Sequence, residues 1–100
     1  MDKQIVINGL ISEFGYSQKG ANLIWDRLAS LSPTLSNVFS QWWEDRIIPD
    51  VEVNGYTFDK LMNHHSMNPL AAFLTLEWLI KEPEIATASL KKGHDKISTN

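Results

Sequence analysis

Residues 56–81 read YTFDKLMNHHSMNPLAAFLTLEWLIK, and this stretch decides the fold of the chain. Its apolar side chains recur at helical spacing on both sides of a polar turn. Asn68 followed by Pro69 is a strong helix start, because Asn can cap the free amides of a first turn and Pro lacks an N–H that the helix would not use. The stretch predicts a short helix that ends near His65 and a second helix from Asn68 to Lys81.

Three further helices are predicted before this stretch from the same kind of apolar spacing. The first ends at Gly15, the second begins after the cap Ser17, and Ser32-Pro33 ends the second and starts the third. The apolar positions of these helices are Ile7, Leu10, Ile11 and Phe14, then Ala21, Ile24, Trp25, Leu28 and Leu31, then Leu35, Val38, Phe39, Trp42 and Trp43.

A last helix is predicted after residue 81, where Glu82-Pro83 closes one helix and opens the next. It should run to about Lys92, with Gly93 as its stop. Together the helices predict an all-α fold, a compact bundle of five or six short helices. A chain of 100 residues suits one domain, so we assign residues 1–93 to a single helical domain and residues 94–100 to a flexible C-terminal tail.

Residues 51–58, VEVNGYTF, alternate in polarity around Asn54-Gly55. Both residues of such a pair accept the positive φ angles of a type I′ turn, which is the turn that suits a two-residue hairpin. The flanking arms are very short for strands. The pattern therefore predicts either a minimal β-hairpin or an irregular loop attached to the helical body.

Composition is that of an ordinary folded protein, with 43% hydrophobic and 21% charged residues. The formal charge of −3 gives no general attraction to nucleic acid or anionic lipid. The chain has no cysteine, which excludes disulfides and thiolate sites. The N-terminus is a poor signal peptide and no segment approaches the length of a membrane span, so we expect a cytoplasmic protein with no membrane partner.

One functional hypothesis is a DNA-binding regulator that uses residues 57–81. The spacing of this stretch resembles a helix-turn-helix motif, and LTLEWLIKEP at 74–83 is similar to the end of recognition helices in winged-helix regulators. The resemblance implies that the helix after Asn68 would meet DNA, through the residues Asn68, Ala72, Thr75 and Lys81. The sequence departs from the motif at Ser66, where the turn usually has Gly, and the helix carries few polar side chains for base contacts.

The second hypothesis, which we prefer, is a non-enzymatic accessory or regulatory protein that binds another protein or a second copy of itself. Trp42 and Trp43 are neighbours on one helix and diverge by about 100°. Either one enters the core and the other lies at a boundary near Ile47, Ile48 or the hairpin, or the connection at 47–58 covers both. Aromatic residues are enriched at interface hot spots. The partner-binding residues that we predict are Trp42, Trp43, Ile47, Ile48 and Tyr56. A third hypothesis is an inhibitor that presents an acidic surface to a basic protein.

The sequence does not predict catalysis or metal binding for this chain. His64 and His65 are adjacent and project to different helix faces, whereas metal sites on helices use a spacing of three or four. The sequence has no phosphate-binding glycine loop, activated-serine motif or HExxH motif. We therefore predict no catalytic residue, no metal site, no cofactor and no small-molecule substrate.

Overall fold

A computed structural model of the protein forms a helical bundle with one small hairpin. It describes the backbone of residues 2–98 and the side chains of residues 2–92. In chain order the elements are α1 (Lys3–Ser12), α2 (Gln18–Leu28), α3 (Pro33–Asp45), β1 (Glu52–Val53), β2 (Tyr56–Thr57), α4 (Phe58–His64), α5 (Pro69–Lys81) and α6 (Pro83–Ser98). The predicted all-α bundle is confirmed.

Helix starts follow the caps that the sequence predicts, with one exception. The Ser17 side chain accepts the N–H of Gly20, and the Asn68 side chain accepts the N–H of Ala71. Ser32 lies at the start of α3, but its hydroxyl makes no capping hydrogen bond. The backbone N–H of Ser32 instead donates to the carboxylate of Glu77, a residue of α5.

The Asn54-Gly55 pair forms the turn of an antiparallel hairpin in which Val53 pairs with Tyr56. Asn54 and Gly55 have φ angles of 51° and 84°, as a type I′ turn requires. The Asn54 side-chain amide donates to the backbone carbonyl of Leu79 at 3.3 Å. This bond fixes the hairpin against α5, so the hairpin alternative is confirmed over an irregular loop.

α5 is the central helix of the bundle. It packs against α2, α3, α4, α6 and β1. Phe73 in its middle meets Phe39 edge to face at a centroid distance of 5.2 Å and Phe58 at 4.7 Å. The largest fully buried side chains are Phe58, Phe73, Ile7, Leu10, Leu35, Leu61, Leu70, Leu76, Leu79 and Val6. Helix propensity alone rarely stabilises such short helices, so this shared core holds them in place.

The last helix is longer than predicted. α6 continues through Gly93 to Ser98, because an interior glycine disfavours a helix by only about 1 kcal/mol and no proline follows. The structure does not describe the side chains of residues 94–100. The flexibility predicted for this segment therefore stays a prediction. Within residues 2–98, no helix combines the length and the apolar character that crossing a membrane demands.

Candidate functional site

The two adjacent tryptophans have different environments. Trp42 is 4% exposed and its ring lies 5.5 Å from Phe73 in the core. Trp43 is half-buried and lies directly on the backbone of α1, where a Cβ on Gly9 would come within 2.6 Å of its Cζ2. The predicted boundary position of Trp43 is therefore a contact between α1 and α3, not an open surface.

Arg46 closes this contact between α1 and α3. Its guanidinium lies 4.7 Å from the ring centroids of both Trp42 and Trp43 and 5.5 Å from that of Phe14. It also pairs with both carboxylate oxygens of Glu13. Cations over aromatic faces are attracted by the ring quadrupole. Sequence reasoning missed this residue, although it is the only lysine or arginine between residues 28 and 59 and directly follows the helix that carries both tryptophans.

Two local features form the turn at the end of α3. Arg46 is in the left-handed region with a φ of 59°, and the Asp45 carboxylate accepts the N–H of Ile47 at 2.8 Å. The other Asp45 oxygen accepts from the Gln41 side-chain amide at 2.8 Å. The Ile47 N–H first, and then the Gln41 amide, lower the pKa of Asp45 from its ordinary value, because both bonds favour the charged form. The carboxylate therefore stays ionised and fixes the turn.

This turn places two aliphatic side chains in solvent. Ile47 is 68% exposed and Ile48 is 49% exposed. They border an open groove of about 420 Å³ between α3 and residues 47–50, which we call the Ile47–Ile48 groove. Its lining residues are Asn37, Val38, Gln41, Trp42, Asp45, Ile47, Ile48, Pro49 and Asp50.

The structure brings together only part of the predicted aromatic patch. Ile47, Ile48 and the small exposed edge of Trp42 share the groove. Trp43 faces α1 instead. Tyr56 is only 7% exposed and packs against His65, with the Lys60 ammonium 4.9 Å from its ring centroid. The expectation of an exposed aromatic patch is therefore corrected: the accessible apolar surface is mainly aliphatic, because Trp43 lies against Gly9 of α1 and Tyr56 packs against His65.

The residues of the DNA-binding hypothesis do not form a free polar face. Ala72 has no exposed surface, so the prediction that it would contact DNA is wrong. The Asn68 side chain caps α5 and donates to the Tyr16 hydroxyl at 2.9 Å. Thr75 is half-buried against Met67, and Lys81 pairs with Glu77 across one helical turn. α5 is mainly a buried core helix, and its accessible side has few side chains that could hydrogen-bond to base edges.

A larger groove of about 800 Å³ runs between α2 and α5. Its walls carry both signs of charge, including Asp26, Arg27 and Lys81. Glu77 in this groove is 7% exposed, and its Oε1 accepts the backbone N–H of Ser32 at 3.0 Å. One oxygen of that carboxylate thus holds the start of α3, whereas its Oε2 is buried without a hydrogen-bond partner among the described residues.

No metal cluster is built from the described side chains, since residues 2–92 contain no group of three or more His, Asp or Glu that could hold an ion. His64 is exposed at the end of α4, whereas His65 is half-buried beside Tyr56. The two imidazoles thus have separate environments, in line with their adjacent positions.

Comparison of the chain with protein-family models, with curated proteins and with solved structures finds no match.

Proposed function

We propose that this chain is a small, non-enzymatic accessory protein of the cytoplasm that binds another protein through the Ile47–Ile48 groove. The observation that carries the proposal is the exposure of Ile47 and Ile48, two adjacent large aliphatic side chains at 68% and 49%. Single exposed aliphatic residues are common on protein surfaces and need no explanation. Here two stand side by side and line one groove together with Val38, Trp42 and Pro49.

The energy available from this surface suits a protein partner. Fully burying one isoleucine side chain contributes about 1.5–3 kcal/mol, so two neighbouring isoleucines can act as anchors of an interface. In most interfaces a few side chains near a well-packed centre carry most of the binding energy. The groove beside them offers space for a side chain of the partner.

The turn is also held in its exposed conformation before any partner binds. Asp45 fixes the Ile47 N–H from one side, and Arg46 is stacked on Trp42 and Trp43 from the other. A surface that is already ordered loses less conformational entropy on association. This preorganisation supports a binding role for residues 47–50.

Site-specific photo-crosslinking tests the proposal. One crosslinking amino acid replaces Asn37, which is exposed and lines the groove, and a control replaces Ala88, which is exposed on α6. Both forms are irradiated in an extract of the producing cell, and adducts are identified by mass spectrometry. We expect one discrete protein adduct from position 37 and none of the same protein from position 88. Equal adducts from both positions, or none from position 37, would contradict the proposal.

The helix-turn-helix alternative has weaker support. Of its four residues, Ala72 is buried and Asn68 is already engaged as a cap. The formal charge of −3 adds no electrostatic attraction to phosphates. We therefore propose a protein partner, and not nucleic acid, for this chain.

A further inference from the structure

We infer that the segment bound in the Ile47–Ile48 groove is an amphipathic stretch of the partner that has apolar anchors flanked by lysine or arginine. This inference rests on the proposed function and names the chemistry of the partner. It follows from the distribution of charge around an apolar groove, which decides which of many apolar segments is accepted.

The segment of the chain that forms the groove is acidic. From residue 28 to residue 58 the chain carries four carboxylates and one base. All four carboxylates belong to exposed residues, namely Glu44, Asp45, Asp50 and Glu52. The base is Arg46, whose guanidinium is paired with Glu13 and stacked on aromatic rings. It therefore does little to offset the negative charge on the groove side.

Two of these acids belong to the groove itself. Asp45 and Asp50 line it together with the apolar side chains. Asp45 is held ionised by its hydrogen bonds to Ile47 and Gln41, which lower its pKa, so its charge persists at neutral pH. Apolar side chains at the centre with fixed charge at the rim are the usual anatomy of a specific interface.

The same charge disfavours a second copy of the chain as the occupant. A two-fold symmetric dimer buries the same surface on both subunits. Such a dimer through this groove would bring one acidic rim against another, because each copy contributes Asp45 and Asp50. A basic segment instead places opposite charges across the rim and accelerates association at low salt.

Selection from a displayed random-peptide library tests the inference. The immobilised chain is the target, and peptides that bind it are counter-selected against the Ile47→Ser/Ile48→Ser variant, so that only peptides dependent on the groove are retained. We expect the retained peptides to share two or three apolar positions flanked by lysine or arginine. Their binding, measured by fluorescence anisotropy, should weaken severalfold between about 0.02 M and 0.3 M salt.

Charge variants provide the matched control. Neutralising Glu44→Gln and Asp50→Asn together should weaken the selected basic peptides about threefold to tenfold at low salt. Asp26→Asn removes a charge from the α2–α5 groove and should have no comparable effect. Neither Glu44 nor Asp50 holds the turn, so these variants leave Ile47 and Ile48 in place.

The outcomes separate the two proposals. Groove-dependent peptides with neutral or acidic flanks would overturn the inferred partner chemistry and leave the proposed function standing. Failure to retain any groove-dependent peptide would overturn both. Sedimentation as a dimer that Ile47→Ser/Ile48→Ser dissociates would replace the basic segment with a second copy of the chain.

Discussion

Glu77 of α5 accepts the backbone N–H of Ser32 at the start of α3, with 3.0 Å between Oε1 and the nitrogen. The bond joins residues 45 positions apart and connects the central helix to the helix that carries both tryptophans. A helix start exposes N–H groups that need acceptors and favours a nearby negative charge. Glu77 meets both needs through Oε1, which also lies 3.4 Å from the Lys81 ammonium, whereas its Oε2 is buried without a hydrogen-bond partner among the described residues.

Replacing Glu77 should therefore cost more than replacing a surface acid. Glu77→Ala leaves a partly buried N–H without its acceptor, and we expect a loss of about 1–3 kcal/mol in the free energy of unfolding. Glu77→Gln keeps an oxygen at the same place and should cost clearly less. Urea denaturation followed by tryptophan fluorescence measures both. Equal losses for the two variants would mean that the hydrogen bond to Ser32 is not the cause.

The two predicted serine caps should respond differently to the same substitution. Ser17→Ala removes a hydroxyl that accepts the Gly20 N–H, and such losses cost about 1 kcal/mol. Ser32→Ala removes a buried hydroxyl that has no hydrogen-bond partner among the described residues. The free energy of unfolding of this variant should therefore equal or exceed that of the parent protein. Thermal unfolding of the pair checks this order, and the reverse order would show that Ser32 caps α3 in solution.

Gly9 should be intolerant of a methyl group, in spite of its helical position. Alanine normally stabilises a helix relative to glycine, but a Cβ here would meet Trp43 Cζ2 at 2.6 Å. Overpacking of this kind costs about 1–3 kcal/mol, so Gly9→Ala should destabilise and alter the tryptophan emission. Gly20→Ala on α2 is the comparison, because its Cβ would meet Ser17 Oγ at 3.2 Å, a tight contact that a small shift of the short serine side chain relieves. Equal effects at the two positions would contradict the close contact with Trp43.

The turn at Ile47 should depend on pH through Asp45. Hydrogen bonds from Ile47 and Gln41 lower the pKa of Asp45 in the folded chain below the ordinary value of 3.8. The contribution of the carboxylate is thus complete above about pH 3.8 and is lost as pH falls through the lower, folded value. In an NMR titration the Ile47 amide and the Asp45 carboxyl should share one midpoint below 3.8.

Gln41→Ala provides the control for that titration. It removes the smaller of the two hydrogen-bond contributions, so the midpoint of Asp45 should rise and still stay below the ordinary value. An Ile47 amide that titrates independently of Asp45 would show that the carboxylate does not fix the turn.

Local patterns predicted most of the fold. Helix positions followed from apolar spacing and from caps such as Ser17 and Asn68, which act within a few residues. The hairpin followed from the turn preference of Asn54-Gly55. The end of α6 was missed because Gly93 only weakens a helix and does not end it by itself.

The site was less predictable because it depends on contacts between distant residues. The sequence predicted Ile47, Ile48 and Tyr56 as partner-binding residues; the two isoleucines are exposed, whereas Tyr56 is only 7% exposed. Arg46 lies over three rings and has a left-handed backbone angle, although it is not glycine. That conformation is uncommon for arginine, and no local pattern indicates it.

The most direct test of the central claim compares two pairs of exposed isoleucines. Ile47→Ser/Ile48→Ser alters the groove, and Ile80→Ser/Ile85→Ser alters side chains that are 43% and 60% exposed elsewhere. Both variants should unfold within about 0.5 kcal/mol of the parent, since the side chains are exposed. The measurement is the yield of the protein adduct from a photo-crosslinker at position 37. We predict that the groove variant loses the adduct and the control variant keeps it. An adduct that persists in Ile47→Ser/Ile48→Ser would contradict the account.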